Sequence, residues 1–207
     1  MRAALCATRL WLERIVIGLS LCPWSRAVHE AGTIRFACTG AADSAALAEA
    51  VVKEVAMLQE APPSKIETTI LTAPRAFPED FASFNEFTLD VEQWLQQQSL
   101  DDVFQVVAFH PQFMFAGEAA DDASNSVNRS PHPTLHLLRQ DSVTAAIDAQ
   151  PQLAVTVPSS NSARVRSLGA ATMSKLVTTA LVDGIAEAEA HSGPSSQQAI
   201  NEIPPGG

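Results

Sequence analysis

Residues 103–109 have the sequence VFQVVAF, and the predicted fold is built around this segment. The run is nearly all apolar, with Gln105 as its polar member. It therefore predicts a β-strand that is buried on both faces and lies at the centre of a sheet. Two segments upstream predict two further strands. The segment TIRFACT at 33–39 alternates in side-chain character, and IETTILTA at 66–73 is rich in β-branched residues.

The residues between these strands repeat apolar side chains at helical spacing. They predict one helix after Asp43 or Ser44 and another after Asp80 or Ser83. Three more helices are predicted at about 7–20, at 143–149 and at 162–190. This alternation indicates an α/β (α+β-like) fold with a small β-α-β-α-β sheet of three to four strands, flanked by helices and joined by N- and C-terminal helices.

The segment 133–139, PTLHLLR, fits either a fourth strand or the start of a helix. Pro131 and Pro133 disfavour a helical start, so the strand is favoured, with Leu135 and Leu137 on one face. Residues 1–191 are predicted to form a single globular domain. The remaining residues, 192–207, are predicted to be a disordered tail because they are polar and rich in Ser, Pro and Gly.

Composition narrows the class of protein. The chain has 207 residues, 46% hydrophobic and 17% charged, with a formal net charge of −10. An acidic surface repels phosphate backbones and anionic lipids, so neither nucleic acid nor a membrane is an expected partner. The three cysteines, Cys6, Cys22 and Cys38, are too few and too scattered for a disulfide framework, which favours a soluble cytoplasmic protein.

The segment 110–139 is the predicted site. It opens with a connection of about twenty residues, a length that in compact domains is usually functional or disordered. It follows the end of the predicted central strand, where open α/β sheets place their ligands. Its first part holds Phe113, Met114 and Phe115, which indicates that the loop packs inward. The candidate ligand-contacting side chains in this segment are His110, Asp122, Asn125, Asn128, Arg129, Ser130 and His136.

Each candidate has a functional and a structural interpretation. His110 is either a general acid/base or a histidine that tethers the loop. Arg129 either clamps an anion, with Asn128 and Ser130 as neutral donors, or pairs with a neighbouring aspartate. Asp122 is expected to orient His110 or Arg129.

Three functions remain open at this point. The first is a small-molecule enzyme or binding protein with an anionic-ligand site on 110–139, and the second is an interaction or scaffold module without catalytic activity. The third is a metal-dependent enzyme that uses His110, His136 and Asp122. A strand at 133–139 disfavours a metal site that pairs His132 with His136, because it separates the two residues along the chain. No nucleophile elbow, P-loop or dinucleotide motif occurs, which favours the interaction module. No cofactor, oligomeric state or enzyme class is indicated.

Several motifs together resemble a known family. The chain is similar to bacterial and plant-type proteins catalogued as domain of unknown function 1415, over about residues 8–180. The resemblance implies one domain and assigns no reaction, cofactor or catalytic residue. Trp24 stands where the family pattern has Phe, and His132 where it has Tyr. The motifs that carry the resemblance are LERIVIGLSLCPW, IETTILTAP, DFASFNEF, FQVVAFHPQFMFAG, DDASNSVNRSPHPTLHLLR and NSARVRSLG.

Overall fold

The computed structural model describes residues 1–191, so the tail predicted at 192–207 lies outside the described residues. These residues form a four-stranded mixed sheet with helices on both faces, which confirms the predicted α/β class. The strands are β1 (Ile34–Cys38), β2 (Thr68–Thr72), β3 (Phe104–Phe109) and β4 (Thr134–Arg139). The helices are α1 (Arg2–Trp11), α2 (Ser25–Glu30), α3 (Ser44–Glu60), α4 (Phe81–Gln97), α5 (Gln140–Ala149), α6 (Pro151–Leu168) and α7 (Ala170–Ala190).

The order of the strands is β1-β2-β4-β3. Strands β1 and β2 are parallel and are joined through α3, while β4 runs antiparallel to both of its neighbours. The strand predicted at 133–139 is therefore confirmed as β4. The central position predicted for β3 is wrong, because the long 110–130 connection brings β4 back between β2 and β3. Burial along β3 alternates accordingly: Phe104, Val106 and Ala108 are buried, and the residues between them are half-buried.

Helices α3 and α4 cover one face of the sheet. Their N-termini are capped by Asp43 and Asp80, whose carboxylates accept from the amides of Ala46 and Ser83. Arg35 of β1 also points to this face, where it pairs with the buried Glu54 of α3. The main core lies here and includes Leu47, Val51, Leu58, Leu71, Phe84, Leu95, Leu135 and Leu137.

The other face is covered by α1 and the π-helical segment that continues it, Leu12–Ile17. The helix predicted at about 7–20 therefore begins earlier and changes its winding after Trp11. Helix α7 packs outside α1, where Gly184 allows close approach because a Cβ at that position would overlap the backbone of Ala7.

The long helix predicted at 162–190 is two helices, α6 and α7. Gly169 separates them with a φ of 83°, a conformation that glycine adopts without strain. The helix predicted at 143–149 begins earlier, at Gln140, and has no buried residue. Within the described part of the chain, none of the helices is both long and apolar enough to cross a bilayer.

Candidate functional site

The predicted acid/base residue, His110, is fully buried and both of its ring nitrogens are engaged. Nδ1 accepts a hydrogen bond from the Gln112 amide at 3.0 Å. Nε2 therefore carries the proton and donates it to the Phe77 carbonyl at 2.8 Å. The ring packs against Phe84 of α4, on the core side of the sheet. Burial lowers the pKa of His110, so the neutral ring that makes these two bonds is favoured.

The bond from His110 also fixes a strained turn. Phe77 has a φ of 52°, which costs a non-glycine residue roughly 1–2 kcal/mol. Its ring packs against Phe84 and Phe87 with centroids about 6 Å apart, and its carbonyl is held by His110. His110 thus ties the connection before α4 to the end of β3.

The two predicted asparagines hold the loop backbone. Asn125 is fully buried, and its Oδ1 accepts from the Phe115 amide at 2.9 Å while its Nδ2 donates to the Ala119 carbonyl at 2.8 Å. Asn128 donates from Nδ2 to the Ala108 carbonyl of β3 at 3.2 Å. Both amides therefore replace backbone partners that an irregular segment lacks.

Arg129 and Ser130 also bond to backbone carbonyls. The Arg129 guanidinium donates from Nε to the carbonyl of Phe113 at 3.2 Å and from Nη2 to that of Ala120 at 2.8 Å. Burial lowers the pKa of Arg129. Ser130 is fully buried and donates to the His132 carbonyl at 2.6 Å. The guanidinium is thus used to close the loop on itself.

Asp122 pairs with Arg166 of α6, so the pairing of Arg129 with a neighbouring aspartate is wrong. The Asp122 carboxylate accepts from the Ser124 amide at 2.7 Å and begins a 3₁₀-helix, Ala123–Val127. Arg166 donates to Asp122 and to Glu118, at 3.0 Å in each case. Hydrogen bonds from Ser124 and from Arg166 lower the pKa of Asp122 to about 2.

Six of the seven candidate side chains therefore hold the loop and the segments it contacts, and Asp122 orients neither His110 nor Arg129. The seventh, His136, lies elsewhere. It occupies the middle of β4, directly across from Val107 of β3, so the two side chains share one face of the sheet. Successive residues along a strand point to opposite faces, so His110, three residues after Val107, lies on the other face. Within residues 1–191 no group of three His, Cys, Asp or Glu side chains is placed to hold a metal ion. The metal hypothesis built on His110, His136 and Asp122 is thus not supported.

A cavity of about 590 Å³ lies over the sheet face that carries His136. It is partly open to solvent and is lined mainly by apolar side chains. Ile70 of β2, Val107 and Phe109 of β3, and His136 of β4 form its floor. Its walls come from α1 and the π-helical segment (Trp11, Leu12, Val16), from 22–28 (Cys22, Pro23, Trp24, Ser25, Ala27, Val28) and from α5 (Ser142, Val143, Ala146).

His136 lies on the floor together with the polar side chains of Thr68, Gln105 and Thr134. Ile70 and Val107 lie beside it on the neighbouring strands, and Phe109 lies with its ring centroid 6.5 Å away. Nε2 lies 2.7 Å from Oγ1 of Thr68, on β2. Burial lowers the pKa of His136 to about 4, so the ring is neutral at physiological pH.

Other polar residues line the edges of the cavity. Gln105 of β3 and Glu67, which precedes β2, contribute an amide and a carboxylate. Arg139 is the cation in the lining, but its guanidinium donates to the carbonyls of Leu58 and Ala61 at the end of α3 and of Ile66 before β2. The cavity is therefore a mainly apolar chamber, and the arginine in its lining is hydrogen-bonded to backbone carbonyls.

Most residues of the cavity are not among the predicted site residues, including Thr68, Gln105, Trp11 and Trp24. A usable signal was present in two strands. Gln105 interrupts the apolar run of β3, and His136 interrupts that of β4, so each places a polar group among apolar side chains. The wall residues show no such pattern in the sequence, because the walls are formed by helices that are far apart in the chain.

A family model described as a protein of unknown function (DUF1415) matches residues 3–175, so the chain belongs to this family. The family predicted from the sequence motifs is thereby confirmed. No curated protein and no solved structure matches the chain. The family description assigns no reaction, so the chemistry of the site carries the functional conclusion.

Proposed function

We propose that this member of the DUF1415 family binds a small, largely apolar molecule in the cavity over the sheet. The observation that carries the proposal is the apolar chamber of about 590 Å³ with His136 on its floor. Ligand pockets typically measure roughly 300–1,000 Å³ and combine apolar walls with a few polar groups. The chamber has both properties.

The difference between the two faces of the sheet supports a ligand, because side chains in protein interiors are closely packed. The opposite face of the same sheet is filled by Leu71, Val106, Leu135 and Leu137 against α3 and α4. One face of a single sheet is thus filled while the other keeps a chamber, which favours a space retained for a ligand.

The π-helical segment supports the same location. Leu12–Ile17 winds more widely than an α-helix, and such segments occur frequently at functional sites. Leu12 and Val16 of this segment both line the chamber. The unusual winding therefore coincides with the wall of the cavity rather than with the 110–130 loop.

The alternative of an anion site on the loop lacks this support. Arg129, its intended clamp, donates to the carbonyls of Phe113 and Ala120. His110, its intended acid/base, is fully buried with both ring nitrogens bonded. His110 could contact an anion only by giving up these bonds, and two of the N–H donors of Arg129 already bond to the loop backbone. We therefore place the site in the chamber.

A neutral apolar dye tests the proposal directly. Nile red is titrated against the protein, and its emission is expected to shift to the blue and to saturate at one dye per chain. The matched variants are Ala146→Phe and Ala145→Phe, which add the same ring at adjacent positions of α5. Ala146 lines the chamber, whereas Ala145 is exposed and does not.

The expected result is a loss of Nile red affinity of about tenfold or more in Ala146→Phe and unchanged affinity in Ala145→Phe, because a ring in the chamber excludes the dye. Arg129→Ala provides the third arm. If it abolishes binding while Ala146→Phe leaves binding intact, the site is on the loop and the proposal is wrong. Absence of saturable binding by the wild-type protein would also contradict it.

A further inference from the structure

The hydrogen bonds around Thr68 determine where the proton of His136 resides. Oγ1 of Thr68 lies 2.6 Å from the carbonyl of Leu137 and 2.7 Å from Nε2 of His136. A carbonyl only accepts, so the single hydroxyl proton of Thr68 is donated to Leu137. Oγ1 must then accept from the ring, and Nε2 of His136 carries the proton.

The remaining ring nitrogen, Nδ1, therefore has a free lone pair. Among residues 1–191 it has no hydrogen-bond partner. Among these residues, the side-chain atom that is both fully buried and without a partner is Oγ1 of Thr69, and not Nδ1 of His136. Nδ1 thus keeps accessible surface, and the ring lines the chamber. It is an acceptor available to a bound molecule.

The charge pattern of the chamber disfavours an anionic ligand. A carboxylate would bring a second lone pair toward Nδ1 and would lose its hydration among Ile70, Val107 and Phe109. Glu67 adds a negative charge to the lining, and the guanidinium of Arg139 is held by three backbone carbonyls. A neutral donor group avoids both the repulsion and the large loss of hydration.

We infer that the ligand of the chamber is a neutral alcohol on an apolar body, whose hydroxyl donates to Nδ1 of His136. This inference rests on the proposed function and adds the chemistry of the polar group. It replaces the anionic ligand expected from the sequence. The apolar body lies against the floor and the wall formed by Trp11 and Val16.

Competition against Nile red separates the contribution of the donor from that of the chain. Decan-1-ol and 1-methoxydecane have the same ten-carbon chain and one oxygen each. The oxygen of the alcohol carries a proton that can be donated, and the oxygen of the ether does not. The alcohol is expected to bind about three- to tenfold more tightly, the range of a single hydrogen bond. Decylamine and decanoate, at neutral pH, are expected to bind more weakly than the alcohol.

Two variants assign the preference to His136. His136→Phe keeps a ring of similar size without an acceptor, and it is expected to bind the alcohol and the ether equally. His136→Asn places an amide oxygen near the position of Nδ1 and is expected to restore part of the preference. The ring ¹⁵N spectrum of the wild-type protein is expected to show a protonated Nε2 and an unprotonated Nδ1.

The outcomes separate this inference from the proposed function. If Nile red binds in the chamber but the alcohol and the ether compete equally, the cavity site stands and the alcohol inference is wrong. Tightest binding by decanoate or by decylamine also overturns the inference, in favour of an anion or a cation. A preference that persists unchanged in His136→Phe removes His136 as the acceptor.

Discussion

The 110–130 loop and the chamber over the sheet use polar groups in opposite ways. The loop is dense in polar side chains, yet His110, Asn125 and Arg129 each bond to the backbone. The chamber has few polar side chains, yet one of them, His136, keeps an acceptor that no described residue uses. The polar side chains of the loop thus hold the protein backbone, whereas Nδ1 of His136 faces the chamber without a partner among the described residues.

This contrast shows that polar density alone does not mark a binding site. An irregular segment has backbone amides and carbonyls without ladder partners, and side chains must satisfy them when they are buried. A long ordered loop therefore needs many polar residues merely to fold. Unused hydrogen-bonding capacity beside an accessible cavity is the better indication of a ligand.

The largest effect is expected from His110→Ala. It removes a buried ring and leaves the Phe77 carbonyl and the Gln112 amide without partners. We expect the free energy of unfolding to fall by about 3–4 kcal/mol in urea titrations. His29→Ala, a change at a partly exposed histidine, is the control. Intact stability together with lost Nile red binding would make His110 a ligand-contacting residue and break the contrast.

Arg129→Ala is expected to have the next largest effect. The guanidinium bonds to two carbonyls of the loop, so its loss should cost about 1–2 kcal/mol of unfolding free energy. Affinity for Nile red should stay unchanged, because Arg129 does not line the chamber. Arg75→Ala, at an exposed position, controls for the loss of a positive charge. A decrease in affinity without a decrease in stability would contradict this prediction.

A third variant tests whether an unpartnered polar atom outside the chamber only lowers stability. Oγ1 of Thr69 is unpartnered, but it is buried on the α3–α4 face, where no ligand reaches it. Thr69→Val should therefore raise the unfolding free energy by about 1 kcal/mol. Thr72→Val on the same strand should lower it instead, because Oγ1 of Thr72 donates to Thr8. Equal effects of the two variants would refute the distinction.

The smallest effect concerns the pH dependence of the loop. The folded pKa of Asp122 is about 2, below its ordinary value, so its carboxylate stabilises the fold fully above about pH 4. That contribution disappears as the pH falls toward 2. Asp122→Asn keeps an N-cap acceptor but loses the charge, so its melting temperature should lie below that of the wild type at pH 5. The difference should vanish near pH 2, and a constant difference would contradict the assignment.

The sequence predicted the fold well where the patterns were local. Strands β1, β2 and β4 and helices α3 and α4 follow from apolar periodicity and from caps such as Asp43. The position of β3 could not be predicted, because it depends on where the chain returns after the 110–130 loop. The break at Gly169 was missed because apolar residues continue at helical spacing on both sides of it.

The candidate site was predictable only in part. His136 was selected as part of the 110–139 segment and as a possible metal ligand, whereas its place in the proposed site depends on Thr68 and on the chamber above it. The side chains that surround it come from β2, β3, the π-helical segment and α5, which are far apart in the chain. Such a site depends on tertiary packing, which no single segment of sequence specifies.

We place the ligand site in the chamber and not on the loop. Backbone amide ¹H–¹⁵N spectra of the wild-type protein, recorded during a titration with decan-1-ol, test it most directly. The predicted result is a set of saturable shifts centred on 105–109, 134–138 and the π-helical segment, with the amides of 113–129 unchanged. Shifts centred on 113–129, with those of β3 and β4 unaffected, would contradict the claim.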